Sequence, residues 1–265
     1  MLMRPAPPLD HSVRHGLWRR SLGPALGFAL LLTAVLVRTA TSAAGALHLG
    51  YGDCAGAGPA TAALNNACSS NLGSIPIVAS FSPPVGMNQL VAIEGGISVY
   101  TSGSTLSPWW HMEPNGCRAD QISISFDFTN GPYTCNDIWG GQAIGAMFYT
   151  VNALGLGPNS ANILFVAAVS EDHPVQVGTS SEYYGFTLRI SRSQSAEPGS
   201  CAGCTERACF VFDYLKLDQP AGVGDFTLTQ GDQSAIAYNG GGGIQACASA
   251  RVQKGSWGAI KAIYH

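Results

Sequence analysis

The side chains with the most chemistry to offer are eight cysteines: Cys54, Cys68, Cys117, Cys135, Cys201, Cys204, Cys209 and Cys247. Thiols at this density form disulfides, bind zinc or run redox exchange. Proximity in the chain makes Cys54 with Cys68, and Cys117 with Cys135, plausible local staples. Cys201-Ala-Gly-Cys204, Cys209 and the distant Cys247 form a second group, in which four thiols allow three pairings. A bridge from that group to Cys247 would tie the last strands to the preceding ones. Tetrahedral sulfur sites for zinc usually take two Cys-x-x-Cys pairs, and the chain has one. A redox Cys-x-x-Cys opens a helix that lowers its thiolate pKa. This one follows a loop from Ser193 to Ser200 and precedes the strand-like Phe210-Val211-Phe212. Structural disulfides are therefore the expectation. Each contributes about 2–4 kcal/mol, mainly by restricting the unfolded chain.

Other chemistry is sparse. His48, His111, His173 and His265, the histidines beyond residue 46, show no pair at helix or strand spacing. His173 sits in Glu171-Asp172-His173-Pro174, where a carboxylate beside an imidazole would bind a metal or act as a base. The plainer reading of that segment is a solvated turn. Asp127, Asp137, Asp172 and Asp225 offer hard oxygens for calcium, yet no EF-hand loop is present and the acids do not cluster. There is no Gly-x-Ser-x-Gly elbow. Glu94, Glu113, Asp127 and Glu182 are carboxylates that a glycosidase might pair, with nothing in the sequence to pair them. Gly240 to Gly243 lacks the Gly-Lys-Ser/Thr ending of a phosphate loop and reads as a turn. Trp109, Trp110, Trp139, Tyr183 and Tyr184 would stack on sugar rings if exposed. Adjacent residues of a strand point to opposite faces. One of Trp109 and Trp110 is then core and the other exposed, and Tyr183 lies on the polar face opposite Tyr184. The ligand-binding candidates are Trp109, Trp110 and Tyr183.

These residues follow an export segment. Arg14, Arg19 and Arg20 precede an apolar run from Leu22 to Val37, and small residues lead to Ala44-Gly45-Ala46. That is the pattern of a secretory signal peptide over residues 1–46, with the mature chain starting near Leu47. An uncleaved anchor is the rival, but the run is short, contains Gly23, Pro24 and Gly27, and ends at Arg38. Arg19-Arg20-Ser21-Leu22 makes a poor twin-arginine signal. Residues 1–46 carry five of the 13 Lys/Arg and one of the 16 Asp/Glu, so the remainder has a net charge near −7. It shows no basic stripe, which argues against nucleic acid as a partner. No later run is long and apolar enough to span a membrane.

The elements that must position these side chains read as strands. Ile122, Ile124, Phe126 and Phe128 alternate with polar residues, as do Tyr184, Phe186, Leu188 and Ile190. Val91–Ile93 and Ile97–Tyr100 flank Glu94-Gly95-Gly96 as an expected hairpin. Further candidates are Ile75–Phe81, Ile144–Val151, Ile163–Val169, Phe210–Leu217, Phe226–Thr229, Ile236–Tyr238, Gln245–Val252 and Trp257–Tyr264. Gly, Pro and Asn clusters separate them. The Ala60–Ala67 stretch has room for one short helix pinned by Cys54 and Cys68. The predicted fold is all-β: residues 47–265 as a single antiparallel β-sandwich, jelly-roll-like or immunoglobulin-like, stapled by disulfides. A closed barrel is the alternative.

Several motifs taken together are familiar. They are Pro108-Trp109-Trp110, Gly116-Cys117-Arg118, Glu182-Tyr183-Tyr184-Gly185-Phe186, Cys201-Ala202-Gly203-Cys204 with Cys209, Lys216–Gly222, and the closing Trp257-Gly258-Ala259-Ile260-Lys261-Ala262-Ile263-Tyr264. The set resembles a group of secreted, cysteine-containing bacterial proteins of unassigned function that end in a Trp-Gly-x-x-Lys-x-x-Tyr strand. The resemblance implies an exported, β-rich bacterial protein and carries no catalytic residue. The chain departs from the pattern in ending on His265 where Arg is more usual, which touches nothing functional.

The expected function is non-catalytic: a secreted, periplasmic or cell-surface binding or structural module. Two alternatives stand beside it. One is a carbohydrate-binding module using Trp109, Trp110 or Tyr183 on an extracellular glycan. The other is a secreted hydrolase, with His173 and a neighbouring carboxylate as its pair. No cofactor is required, and a structural calcium ion is the one for which the composition leaves room.

Overall fold

A computed structural model describes residues 45–229, 231–240 and Cys247, all within one compact unit, residues 42–265. Residues 1–44 of the expected signal peptide, Gln245–Val252 (apart from Cys247) and Trp257–Tyr264 lie outside the described residues. The chain opens with β1 (Ala46–Tyr51), β2 (Ala63–Leu64), β3 (Ser74–Ser82), β4 (Gln89–Leu90) and β5 (Ala92–Thr101). It continues with β6 (Ile122–Ser125), β7 (Asn136–Asp137), β8 (Ile144–Val151), β9 (Ser160–Ala168) and β10 (Val175–Gln176). It closes with β11 (Tyr183–Ser191), β12 (Ala208–Asp218), β13 (Phe226–Leu228) and β14 (Ala235–Tyr238).

The strands form two open sheets and a small β4–β10 pair. The first sheet has the order β1-β3-β11-β6, with β7 beside β11. The second has the order β2-β14-β12-β5-β9-β8, with β13 beside β12. The long ladders are antiparallel. The sheets face each other across a core in which Phe186 of the first meets Phe165 and Phe212 of the second, with ring centres 4.3 and 6.2 Å apart. The β-sandwich expected from alternation is therefore present, and among the described residues neither sheet closes into a barrel.

Two local expectations fail, each for a packing reason. Glu94-Gly95-Gly96 is no hairpin turn; it lies inside β5, which runs straight from Ala92 to Thr101. The glycines are there because rings pass over them. A Cβ on Gly95 would come within 2.5 Å of the Phe165 ring, and one on Gly96 within 2.9 Å of the Tyr214 ring. Ala60–Ala67 holds no helix. Its Ala63 and Leu64 form β2, parallel to β14 at Ala237 and Tyr238, and Thr61 bridges to Tyr51.

The disulfides are Cys54–Cys135, Cys68–Cys204, Cys117–Cys201 and Cys209–Cys247. All eight cysteines are paired. The local staples Cys54–Cys68 and Cys117–Cys135 do not form. Cys54 and Cys68 sit at opposite ends of a segment that runs from one sheet toward the edge of the other, so each finds a partner far along the chain. The second group does not pair within itself either, except for Cys209–Cys247. Cys201 and Cys204 fasten it to Cys117 and Cys68.

Candidate functional site

The aromatic candidates are placed by burial. Pro108–Trp110 forms a short 3-10 turn, so alternation does not apply, and Trp109 and Trp110 are both fully buried. The expectation that one of them faces solvent is corrected. Their rings meet edge to face at 4.7 Å. Trp109 stacks on Tyr238 at 5.5 Å and its Nε1 donates to Ser195 Oγ. The guanidinium of Arg118 also lies over the Trp109 ring, its carbon 3.7 Å from the ring centre. Arg118 is fully buried. It donates to the carbonyls of Trp109, Ser191 and Ser193. Burial pulls its pKa down to about 10, which still leaves it charged at neutral pH. This cluster is a structural hub.

Tyr183 is half-buried, and its hydroxyl accepts from the Gly178 N–H at 2.8 Å. A register shift between Tyr184 and Phe186 turns the start of β11 over. Tyr183 consequently stands opposite Phe81 on the core face, with ring centres 6.1 Å apart. Tyr184 stands opposite Ser80 on the outer face and stacks on Tyr133 at 4.9 Å. The two tyrosines thus exchange faces of the sheet, while Tyr184 is the fully buried one, as expected, and Tyr183 is half-buried.

His173 lies in an exposed turn. Glu171 beside it accepts from the Ala221 N–H. The calcium candidates serve local turns. Asp127 caps the 3-10 turn at Thr129, Asp137 accepts from the Trp139 and Gly140 N–H groups, and Asp225 accepts from the Gln219 N–H and pairs with Lys216. Asp172 is exposed beside His173. Among the described residues no three His, Cys, Asp or Glu side chains converge as metal ligands. A cleft of about 640 Å³ opens beyond the ends of β5, β9 and β12. Its Asp218 and Asp225 are occupied with Lys216.

Strand register assembles a polar cluster that the sequence does not announce. His48 of β1 is opposite Ser80 of β3, and Glu182 immediately precedes β11. All three are buried on the outer face of the first sheet. The Ser80 hydroxyl donates to Glu182 Oε1 at 2.5 Å, and the Gly56 N–H donates to the same oxygen at 2.8 Å. Glu182 Oε2 and His48 Nδ1 are buried without hydrogen-bond partners. Burial holds the His48 pKa below its ordinary value, against the opposing pull of Glu182 and Asp232. Ser80 donates to the Glu182 carboxylate and not to the His48 imidazole, so the three do not line up as a serine–histidine–carboxylate relay. The cluster instead anchors the 53–60 loop, which the Cys54–Cys135 bridge and the Asp53–Thr134 hydrogen bonds hold down.

The second sheet is different. Its outer face is covered at β12 and β14, where Val211, Ala235 and Ala237 pack with Cys247. At Ile144, Ala146 and Phe148 of β8 and Val166 of β9 it is exposed. Ile144 is 83% exposed, Phe148 68% and Val166 43%. The ladder sets Phe148 beside Leu164 and Ala146 beside Val166, so these residues share one face. Exposed apolar side chains are thus gathered on one part of this sheet. Sequence reading identified β8 as a strand and missed its exposure. Each residue there has the composition of a core strand.

No family model matches the chain, and no curated protein or solved structure shows significant similarity to it.

Proposed function

We propose that the protein is an exported, non-catalytic binding or structural module that acts through the outer face of β8 and β9. The observation that carries this reading is the row of Ile144, Phe148 and Val166, left open to solvent on a hydrogen-bonded sheet. Exposing such side chains forfeits burial worth roughly 1.5–3 kcal/mol each. A contact that covers the face recovers that free energy. The four disulfides support export into an oxidising compartment. Among the described residues no helix is long and apolar enough to cross a membrane. A glycan platform built on Trp109 or Trp110 has little support, because both rings are enclosed.

Two measurements test the reading. Retention of the exported protein on intact cell envelopes should fall when Ile144 and Phe148 are both replaced by Ser. Turnover of a glycoside, ester or peptide that disappears in Ser80→Ala or Glu182→Gln would overturn it.

A further inference from the structure

The outer face of the second sheet joins two unlike halves. Cross-strand partners share a face, and the ladders set Lys216, Glu94, Val166 and Ala146 in one row across β12, β5, β9 and β8. A neighbouring row on the same face is Asp218, Ala92, Ala168 and Ile144. The exposed apolar side chains of β8 and β9 therefore continue into charged ones on β5 and β12. Around Lys216 stand Glu94 at 3.6 Å, Asp225 at 3.2 Å and Asp218. Glu171 lines the cleft beyond the strand ends, together with Ala168, Asp218 and Asp225. Four carboxylates thus meet one ammonium at this end of the face. Gln219 lines the same cleft and is 7% exposed. Its Nε2 donates to the Gly224 carbonyl, and its Oε1 has no hydrogen-bond partner. What the cleft offers a partner is negative charge and an uncommitted acceptor.

We infer that this face docks a basic, partly apolar segment of a partner polypeptide. Its Lys or Arg head group enters the acidic cleft, and its apolar side chains cover Ile144, Phe148 and Val166. The inference rests on the binding-face reading above and adds the chemistry of the partner. Charge selects that chemistry. A Lys or Arg head supplies N–H donors and the missing positive charge, while its alkyl stem lies along apolar surface. A second copy of this chain, or an anionic lipid surface, brings like charge to the acidic half and is repelled. The net charge near −7 of the chain beyond residue 46 acts in the same direction, drawing a cationic partner in from a distance.

Spacing bounds the segment. Asp218 and Ile144 stand three strand spacings apart along the path β12-β5-β9-β8, which is about 14 Å at the usual inter-strand distance. An extended chain covers that in about four or five residues, and a helix in about nine or ten. A basic and an apolar residue at that separation engage both halves at once.

Fluorescence anisotropy with the purified protein, its disulfides intact, tests this. The probe is a labelled peptide of repeated Leu-Lys-Lys-Leu units. Two reference peptides carry Gln in place of Lys, or Ser in place of Leu. The Leu-Lys peptide should bind at least about tenfold tighter than either reference. Its affinity should fall about tenfold as salt is raised from roughly 0.05 to 0.5 M. Glu94→Gln combined with Glu171→Gln should cost about tenfold, and so should Phe148→Ser. All three side chains are exposed, so the variants fold. Glu197→Gln, which removes the same charge from an exposed turn after β11, should leave binding unchanged. Equal binding of the three peptides, or affinity indifferent to the Glu94 and Glu171 substitutions, overturns the inference. So does binding that tightens about tenfold in Trp257→Ser combined with Ile260→Ser, since the chain's own last segment is then the occupant. Envelope retention that depends on Phe148 but not on Glu94 and Glu171 overturns the basic partner and leaves the binding-face reading standing. Turnover lost with Ser80 or Glu182 removes that reading instead.

Discussion

Arg118 sits over Trp109, its guanidinium carbon 3.7 Å from the ring centre, and the two residues share one hydrogen bond, from Arg118 Nη1 to the Trp109 carbonyl. Among the described residues no carboxylate forms an ion pair with this cation. Backbone carbonyls and an aromatic face take the place of water, so one side chain fastens the 107–120 segment to the 191–195 segment.

Arg118→Met should therefore cost about 3 kcal/mol or more, because three carbonyls lose their donor inside the protein. Arg118→Lys keeps the charge and loses the planar fork, and should still cost about 1–3 kcal/mol. Urea unfolding with the disulfides intact measures both. A loss below about 0.5 kcal/mol for Arg118→Met would contradict the assigned role.

The pH dependence of stability should carry a His48 signature. The folded chain keeps this imidazole neutral through burial, below its ordinary pKa of 6.5. The unfolded chain binds a proton there first as the solution is acidified. Stability is thus complete above about pH 6.5 and declines as the pH falls toward the folded value. Glu182 and Asp232 oppose the shift without cancelling it. Comparing thermal midpoints of the native chain and His48→Gln from pH 7.5 to 5 isolates the effect, since the carboxylates are common to both. Parallel curves would sink the prediction.

Gly56 is predicted to be irreplaceable because of what lies above it. A Cβ there would sit 2.9 Å from the Glu182 carboxyl atoms. Gly56→Ala should cost about 1–3 kcal/mol by pushing the loop off its anchor. In a Glu182→Ala background the same substitution should cost far less. A double-mutant cycle by chemical denaturation gives the coupling directly.

Cys54→Ala with Cys135→Ala opens a loop whose ends are 81 residues apart. The loss should be about 4 kcal/mol. Limited proteolysis should then cut first within residues 53–60, which the bridge holds against the sheet. Cleavage elsewhere would show that the bridge does not govern that loop.

Much of the sandwich was legible because alternation is a local signal. Ile75–Phe81, Ile144–Val151 and Phe210–Leu217 all fall inside observed strands. The errors arose where a residue's role depends on a distant neighbour. Gly95 and Gly96 looked like a turn, and the rings of Phe165 and Tyr214 that require them come from β9 and β12. Tyr183 and Tyr184 were placed on the wrong faces because one bulge reverses the parity of a strand end. The His48, Ser80 and Glu182 cluster needs the register of three strands at once. The open face of β8 was invisible for another reason: composition records what a strand can bury, not whether anything covers it.

The order of the cysteines along the chain has a consequence for biogenesis. Cys54–Cys135 interlocks with both Cys68–Cys204 and Cys117–Cys201, since each of these has one member inside the first loop and one beyond it. A chain emerging N-terminus first presents Cys54 and then Cys68, followed by Cys117 and Cys135. An oxidant acting on whichever thiols appear together would join these neighbours wrongly. The native set is reached only by postponing oxidation or by thiol–disulfide exchange through mixed intermediates. In a compartment that oxidises emerging thiols quickly, the native set would therefore be reached through disulfide isomerisation.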